Sequence, residues 1–533
     1  MKRVLAAFFC LFAIYAGILL RMSRLMFAAV PAAQSASGRL VEIAQLRGTI
    51  FDCRLQPLTN DGVARCIAVK PTMLALPLLQ ELLPPTAYET VAARLSAGLP
   101  VVVTVDAPAE GGDAVVNAAY PVRYGSRTAV HIIGHLDAEG HGAAGIEKAC
   151  DALLTETGGT AAARFMTDAQ GKVLLGEPIE ISGTQIPAGG VVLTLDREIQ
   201  QIVEEVLDGS GYACTAAVAL EIGSGAIRAC VSRPAFDPND VAAGLNGKNA
   251  PFVNRAFSAF AVGSVFKPAV AAAALMHGLG DFTWTCTGSI TVGGVTFHCP
   301  KAEGHGEMQL SSALAHSCNT YFIALGQRLG KTAVRETAAL LGFGASAPLA
   351  DGYTPAAGNL PDLSALDSPA ALANLSFGQG TLTATPLQIC AMTATLAQGG
   401  VRVDPYLIVG TRARDGTVTP APRPIAKSVL SADAAATICA ALRQVVTDGS
   451  ARRAQSETIA IAGKTATAQT GRTRAGEEIY NAWFTGFFPA DAPRYAVTVL
   501  VEDGGEGAVS CAPLVREIAE RITALESGGA PAG

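Results

Sequence analysis

The chain has 533 residues, half of them apolar, and a formal net charge of −6. That length supports two or three domains with substantial cores, and the acidic balance argues against a nucleic-acid surface. Lys2 and Arg3 precede an uninterrupted apolar run over 4–20, which Arg21 closes. This is short for a membrane span and long for the apolar core of a signal peptide. An uncleaved single-pass anchor over 1–24, with the remainder extracytoplasmic, is the expectation. Small residues near Ala28 to Ala36 leave cleavage open, and Arg21 and Arg24 weaken the positive-inside argument. Residues 38–190 mix short strands, turns and helices, punctuated by Pro84-Pro85 and Gly111-Gly112, and read as a non-catalytic module. In 191–525, the runs 216–222 and 226–231 flank Gly223-Ser224-Gly225 as a β-hairpin. Helical patterns dominate 267–442, with Pro420, Pro422 and Pro424 marking a surface excursion. Strands are predicted again at 459–462, 482–488 and 495–501, then a helix over 513–525. First and last strands meeting in one antiparallel sheet, with helices between, give an α+β layout. The Gly-rich tail 526–533 is expected to be disordered.

Three short stretches carry chemistry. Gly263-Ser264-Val265-Phe266-Lys267-Pro268 precedes an Ala-rich helical run, so Ser264 and Lys267 share a helix face and an amine lies near a hydroxyl. Alone, this pattern is weak and reads more readily as an ordinary helix start, with Ser264 as N-cap and Pro268 in the first turn. Ser317-Cys318-Asn319 sits between two apolar helical patterns about 50 residues on, and Lys464-Thr465-Ala466-Thr467 follows a strand-like run about 150 residues after that. Of the 12 cysteines, Cys10 lies in the apolar run, so the other eleven cannot all pair within the chain. Cys286 and Cys299 bracket a Gly-rich strand–turn–strand pattern and are the best disulfide candidates, whereas Cys214, Cys230, Cys390 and Cys439 read as buried thiols. So many unpaired thiols in an exported domain suit a reducing habitat. His131 and His135, and the set His298, Cys299, His305 and Cys286, have loosely metal-like spacing, but packing, a disulfide or loop hydrogen bonding is the expected role.

In that order, the stretches resemble the S-x-x-K, S-x-N and K-T-G motifs of the penicillin-binding protein and serine β-lactamase superfamily. Arg47-Gly48-Thr49-Ile50-Phe51-Asp52, Gly145-Ile146-Glu147 with Asp151, Ser232-Arg233-Pro234, Asn254-Arg255-Ala256, Gly378-Gln379-Gly380, Thr385-Pro386-Leu387-Gln388 and Ala482-Trp483-Phe484 resemble class B members, and the likeness runs over 47–520. It implies an antiparallel sheet flanked by helices plus an all-helical subdomain over 191–525, with 38–190 as a pedestal. It also implies a peptidoglycan D,D-transpeptidase inhibited covalently by β-lactams. Ser264 would be the acylated nucleophile and Lys267 its base. Ser317 would relay the proton, Asn319 would hold Lys267 and the substrate amide, and Lys464, Thr465 and Thr467 would bind the substrate carboxylate. The backbone N–H groups of Ser264 and Thr467 would form the oxyanion hole. Stem peptides and β-lactams are the implied ligands. A glycan polymerase of the SEDS family and division or elongation proteins are possible partners, and no cofactor or metal is implied. The third motif departs from the pattern at Ala466, whose methyl either faces the far side of the sheet or crowds the cleft. A β-lactamase, a β-lactam sensor, a carboxypeptidase or a structural partner of the polymerase are the alternatives.

Overall fold

The computed structural model describes residues 12–22, 38–474 and 476–528. The chain forms two compact units that interleave in sequence: Met1–Leu46, Val63–Pro121 and Thr160–Gln185 make one, and Arg47–Gly62, Val122–Gly159 and Ile186–Gly533 the other. Segments 47–62 and 122–159, expected in the pedestal, therefore compact with the three sequence motifs. Residues 12–22 are helical with Phe12, Ile14, Tyr15 and Ile18 exposed. Among the described residues no helix is long and apolar enough to cross a membrane. The apolar run 4–20 lies partly outside them, as does most of the tail.

The first unit holds two three-stranded sheets. In one, Gly62–Val69 pairs between Val101–Val105 and Val115–Val122; in the other, Gly159–Met166 pairs between Gly38–Leu46 and Ile179–Ser182. Successive side chains of a strand face opposite sides. Ile67 and Val69 accordingly enter a core with Leu79 and Leu95 from helices Leu76–Leu82 and Pro85–Ser96. Ala68 joins Ala163, Phe165 and Ile179 in a second core.

The second unit is built on helix α1 (Arg197–Gly209), strands β1 (Thr215–Glu221) and β2 (Ile227–Arg233), and helices α2 (Lys267–Met276), α3 (Leu310–Ala315), α4 (Asn319–Leu340, broken at Gly330), α5 (Pro386–Ala397) and α6 (Ala432–Thr447). Strands β3 (Ala462–Arg474), β4 (Glu477–Phe488) and β5 (Tyr495–Val501) and helix α7 (Ala512–Glu526) complete it. One antiparallel sheet runs in the order β2-β1-β5-β4-β3, so the hairpin β1–β2 and the last three strands do meet. Every residue of β5 is buried, which requires both sheet faces to be covered. Helix α5 packs on the sheet, where the Thr393 and Thr485 hydroxyls lie 2.7 Å apart. The third motif lies inside β3, which starts at Ala462 where the sequence pattern had placed its end.

The family-like N-terminal residues serve this unit. Arg47 and Arg123 both pair with the wholly buried Glu147, at 3.3 and 2.6 Å, and Arg47 also reaches Asp151 at 2.7 Å. Asp52 accepts from the backbone N–H of Arg54, Gln56 and Arg197. Removing one partner of such a buried ion pair costs about 3–5 kcal/mol, because the other charge is left uncompensated. Thr49–Phe51 pairs in parallel with Gly190–Leu193, which pairs with Ile408–Arg412.

Candidate active site

The turn that carries Ser264 is fixed from several sides. Gly263 to Phe266 form a 3₁₀ turn that runs into α2, so Ser264 precedes the α-helix proper rather than capping it. Gly263 has φ 66°, a conformation that favours glycine, and its N–H donates to Gly378 O at 2.8 Å. Trp483 Nε1 donates to Ala261 O at 3.0 Å, and Phe266 meets Phe343 edge-on at 5.0 Å. Residues 269–274 are buried, and their small side chains bring α2 close to α4. Ser264 itself stays half-exposed.

Ser317 lies between α3 and α4 with φ 55°, a strained conformation for a serine that costs about 1–3 kcal/mol. Fully buried Lys267 donates to Ser317 O at 2.7 Å, to Asn319 Oδ1 at 2.8 Å and to Ser317 Oγ at 3.1 Å; Ser317 Oγ lies 3.1 Å from Ser264 Oγ. The hydrogen bonds thus run from Lys267 through Ser317 to Ser264. Burial pulls Lys267 from its ordinary value to about 7, partly opposed by the Cys318 and Cys299 sulfurs. A neutral Lys267 keeps two N–H groups, and the two carbonyl oxygens can only accept. Ser317 Oγ donates to Ser264 Oγ; when its proton turns instead to the lysine lone pair, the Ser317 oxygen is left to accept from Ser264.

The opposite wall is β3. Lys464 is also fully buried, and its Nζ donates to Thr465 O at 3.0 Å. Burial, then the charge of Lys267, pushes it well below the ordinary lysine value. Thr465 is buried with its hydroxyl 3.4 Å from Ser450 Oγ, whereas Thr467 is exposed. Ala466 is 4 % exposed, and a methyl placed on Gly263 would come within 3.3 Å of its Cβ. The Ala466 methyl therefore packs beneath the Gly263–Ser264 turn and out of the open cleft. A groove of 570 Å³ continues beside β3, lined by Phe260, Asn374, Gln379, Thr383, Gln469 and Arg472 among others.

The structure thus joins Ser264, Lys267, Ser317 and Asn319 by hydrogen bonds and sets Lys464 close enough for its charge interaction with Lys267. Other sequence suggestions separate. His131 is held by Pro251 O at 2.7 Å, and both it and His135 pack on the edge of Phe236. Cys286 and Cys299 are free thiols. His298 is exposed, and its carbonyl accepts from Asn319 Nδ2 at 3.0 Å. What the sequence missed is Cys318, which joins Cys286, Cys299 and His305 with all four donor atoms within 4.8 Å of one another. Its position inside Ser-Cys-Asn was the available signal.

The model of the penicillin-binding protein transpeptidase domain matches residues 215–520. The chain is 34 % identical over 422 residues to penicillin-binding protein PbpB of Mycolicibacterium smegmatis, covering 74 % of this chain and 63 % of that protein. It therefore spans less than two thirds of the length of that relative. The crystal structure of penicillin-binding protein 3 from Mycobacterium tuberculosis complexed with ampicillin superposes with a TM-score of 0.67 at 28 % identity, covering 93 % of this chain and 98 % of that one. A chain of a peptidoglycan synthase complex described as coordinating polymerization and crosslinking superposes at 0.69, with 26 % identity and 97 % of each chain covered.

Proposed function

This chain belongs to the penicillin-binding protein transpeptidase family, as a class B member, and from that premise we propose that it is a serine D,D-transpeptidase that cross-links peptidoglycan stem peptides. The hydrogen-bonded series Lys267–Ser317–Ser264 carries the reading. Ser264 Oγ attacks the carbonyl carbon of the penultimate D-Ala, its proton passing to Ser317 while the Ser317 proton passes to Lys267. The C–N bond to the terminal D-Ala then breaks, and that amine takes a proton back along the same path. The amine of a second stem peptide attacks the resulting ester, releasing Ser264 and leaving a new amide. Backbone N–H groups of Ser264 and Thr467 are the proposed oxyanion donors, each worth roughly 3 kcal/mol.

Lys464, with Thr465 and Thr467, is the proposed seat of the substrate carboxylate. An arriving carboxylate favours a charged Lys464, and that charge in turn keeps Lys267 neutral, since the two ammonium groups repel. Binding and base activation are then linked. A β-lactam enters as a mimic of the D-Ala-D-Ala end and stays attached to Ser264. We assign the first unit and the apolar N-terminus to a pedestal and a single-pass membrane anchor, with the site outside the cytoplasm. A SEDS-family glycan polymerase is the proposed membrane partner, supported by the likeness to a synthase-complex chain.

Incubating the full chain with a fluorescent penicillin tests the assignment. One label per chain is expected, and it is lost in Ser264→Ala. Labelling that persists in the variant removes Ser264 from its role, and rapid release of hydrolysed drug reassigns the chain as a lactamase.

A further inference from the structure

We propose that Cys286, Cys299, Cys318 and His305 form a zinc site that holds the Ser317–Asn319 turn in place. The Nδ1 atom of His305 lies 3.5 Å from Cys286 Sγ and 3.3 Å from Cys299 Sγ, and Cys299 Sγ lies 3.8 Å from Cys318 Sγ. A neutral imidazole offers one lone pair at a ring nitrogen, so a single Nδ1 cannot accept from both thiols. A disulfide uses two sulfurs at about 2.05 Å, and it would leave the third sulfur and the imidazole unexplained. A single tetrahedral ion explains the convergence of all four atoms. With Zn–S about 2.3 Å and Zn–N about 2.0 Å, a tetrahedral ion sets sulfurs about 3.8 Å apart and nitrogen about 3.5 Å from sulfur. Three thiolates and one imidazole form a closed donor set of the structural kind, with no open position for chemistry.

The surrounding fold is shaped to close this set. Trp284–Cys286 pairs with Gly306–Met308, which brings His305 beside Cys286. The hairpin of Ser289–Val292 and Val295–His298 returns the chain to Cys299, whose N–H donates to Gly288 O at 2.8 Å. A side chain on Gly304 would meet Cys286 O at 2.2 Å, so the loop closes around the sulfurs only because that residue has none. All three sulfur-bearing residues are buried.

Two ligands adjoin groups placed at the active site. Cys318 lies between Ser317 and Asn319, which supply the acceptors of Lys267 among the described residues. Cys299 follows His298, whose carbonyl holds the Asn319 amide. Zinc binding thereby restrains the strained Ser317 and the Asn319 side chain. This second step rests on the proposed acyl-transfer reading, whereas the metal site does not.

Elemental analysis of the purified full chain is the first test, and about one zinc per chain is expected. The protein stripped of metal under a thiol reductant and titrated with Co²⁺ should show thiolate charge-transfer bands and intense tetrahedral d–d bands, saturating near one equivalent. Cys286→Ser and His305→Ala, read while the chain remains folded by circular dichroism, should lose the tightly held metal. In the stripped protein, penicillin labelling should slow by tenfold or more and recover on adding Zn²⁺. Absence of metal together with a flat Co²⁺ titration overturns the site, as does a Cys286–Cys299 disulfide found by mass spectrometry without reduction. Stoichiometric zinc with unchanged labelling overturns only the link to the active site. Zinc binding without any labelling would instead refute the acyl-transfer reading and leave the metal site standing.

Discussion

Lys267 and Lys464 are the same residue type, equally buried and on facing walls of one cleft, yet their surroundings differ. Lys267 meets three acceptors, two of them unable to donate, so its neutral form is tied to one hydroxyl and through it to Ser264. Lys464 donates to the backbone oxygen of Thr465 alone among the described residues, which leaves N–H groups for an incoming anion. Burial lowers both, but for Lys464 the charge of its neighbour adds to burial, and for Lys267 nearby sulfurs work against it. Desolvation alone therefore does not set a lysine's role. On the proposed reading, the supply of acceptors decides which one handles a proton and which one receives a carboxylate.

The contrast breaks most severely at Lys267. Lys267→Met should slow β-lactam acylation by about 10²–10⁴-fold or more, measured as the rate of fluorescent labelling. It should also cost about 1–3 kcal/mol of stability, since Asn319 Oδ1 and Ser317 O lose their donor. Lys464→Met should cost roughly 10–100-fold, the value of a charge-assisted hydrogen bond, and mainly in the concentration needed for half-maximal rate. A ligand without the carboxylate should be nearly indifferent to that change. Equal losses for both ligands would show that Lys464 does not seat the carboxylate.

A pH profile sharpens the comparison further. The base must be neutral, so labelling should fall about tenfold per pH unit below the Lys267 value of about 7 and level off above it. The sign for stability follows from linkage: the unfolded chain holds the Lys267 proton up to about 10.5 and the folded chain loses it near 7. This lysine therefore makes the protein more stable as pH rises across that window, and chemical denaturation of Lys267→Met should lack that part of the slope. The smallest effect belongs to Ala466→Gly. Loss of a buried methyl and added strand flexibility should lower stability by about 1 kcal/mol, with labelling altered by less than threefold. A large gain in labelling would mean that the methyl obstructs the cleft after all.

The convergence of Ser264, Lys267, Ser317 and Asn319 was legible because each motif is local and its residue types announce their chemistry. The core strands of the second unit were legible for a similar reason, since 495–501 is apolar at every position but Thr498 and forms β5 with those limits. The direction of the Ala466 methyl was not, because it depends on how β3 meets Gly263, roughly 200 residues away in the chain. Cys318 was passed over as the variable middle residue of a motif, since its partners come from a strand and two loops that only folding assembles. Nor did any composition change mark the crossings at 46, 62, 121, 159 and 185; the ties that set them, such as Arg47 and Arg123 to Glu147, are long-range.

That interleaving has a consequence for how the molecule is made. Residues 47–62 leave the ribosome long before Gly190–Leu193 and Ile408–Arg412, the strands that complete the sheet begun by Thr49–Phe51. Glu147 likewise emerges about a hundred residues after Arg47, and β1 waits for β5 through nearly three hundred more. During synthesis the early segments must remain unsatisfied while most of the chain is made. A fragment begun at residue 215, where the transpeptidase match starts, would lack them, so the boundary of that match is not a boundary at which this protein can be cut.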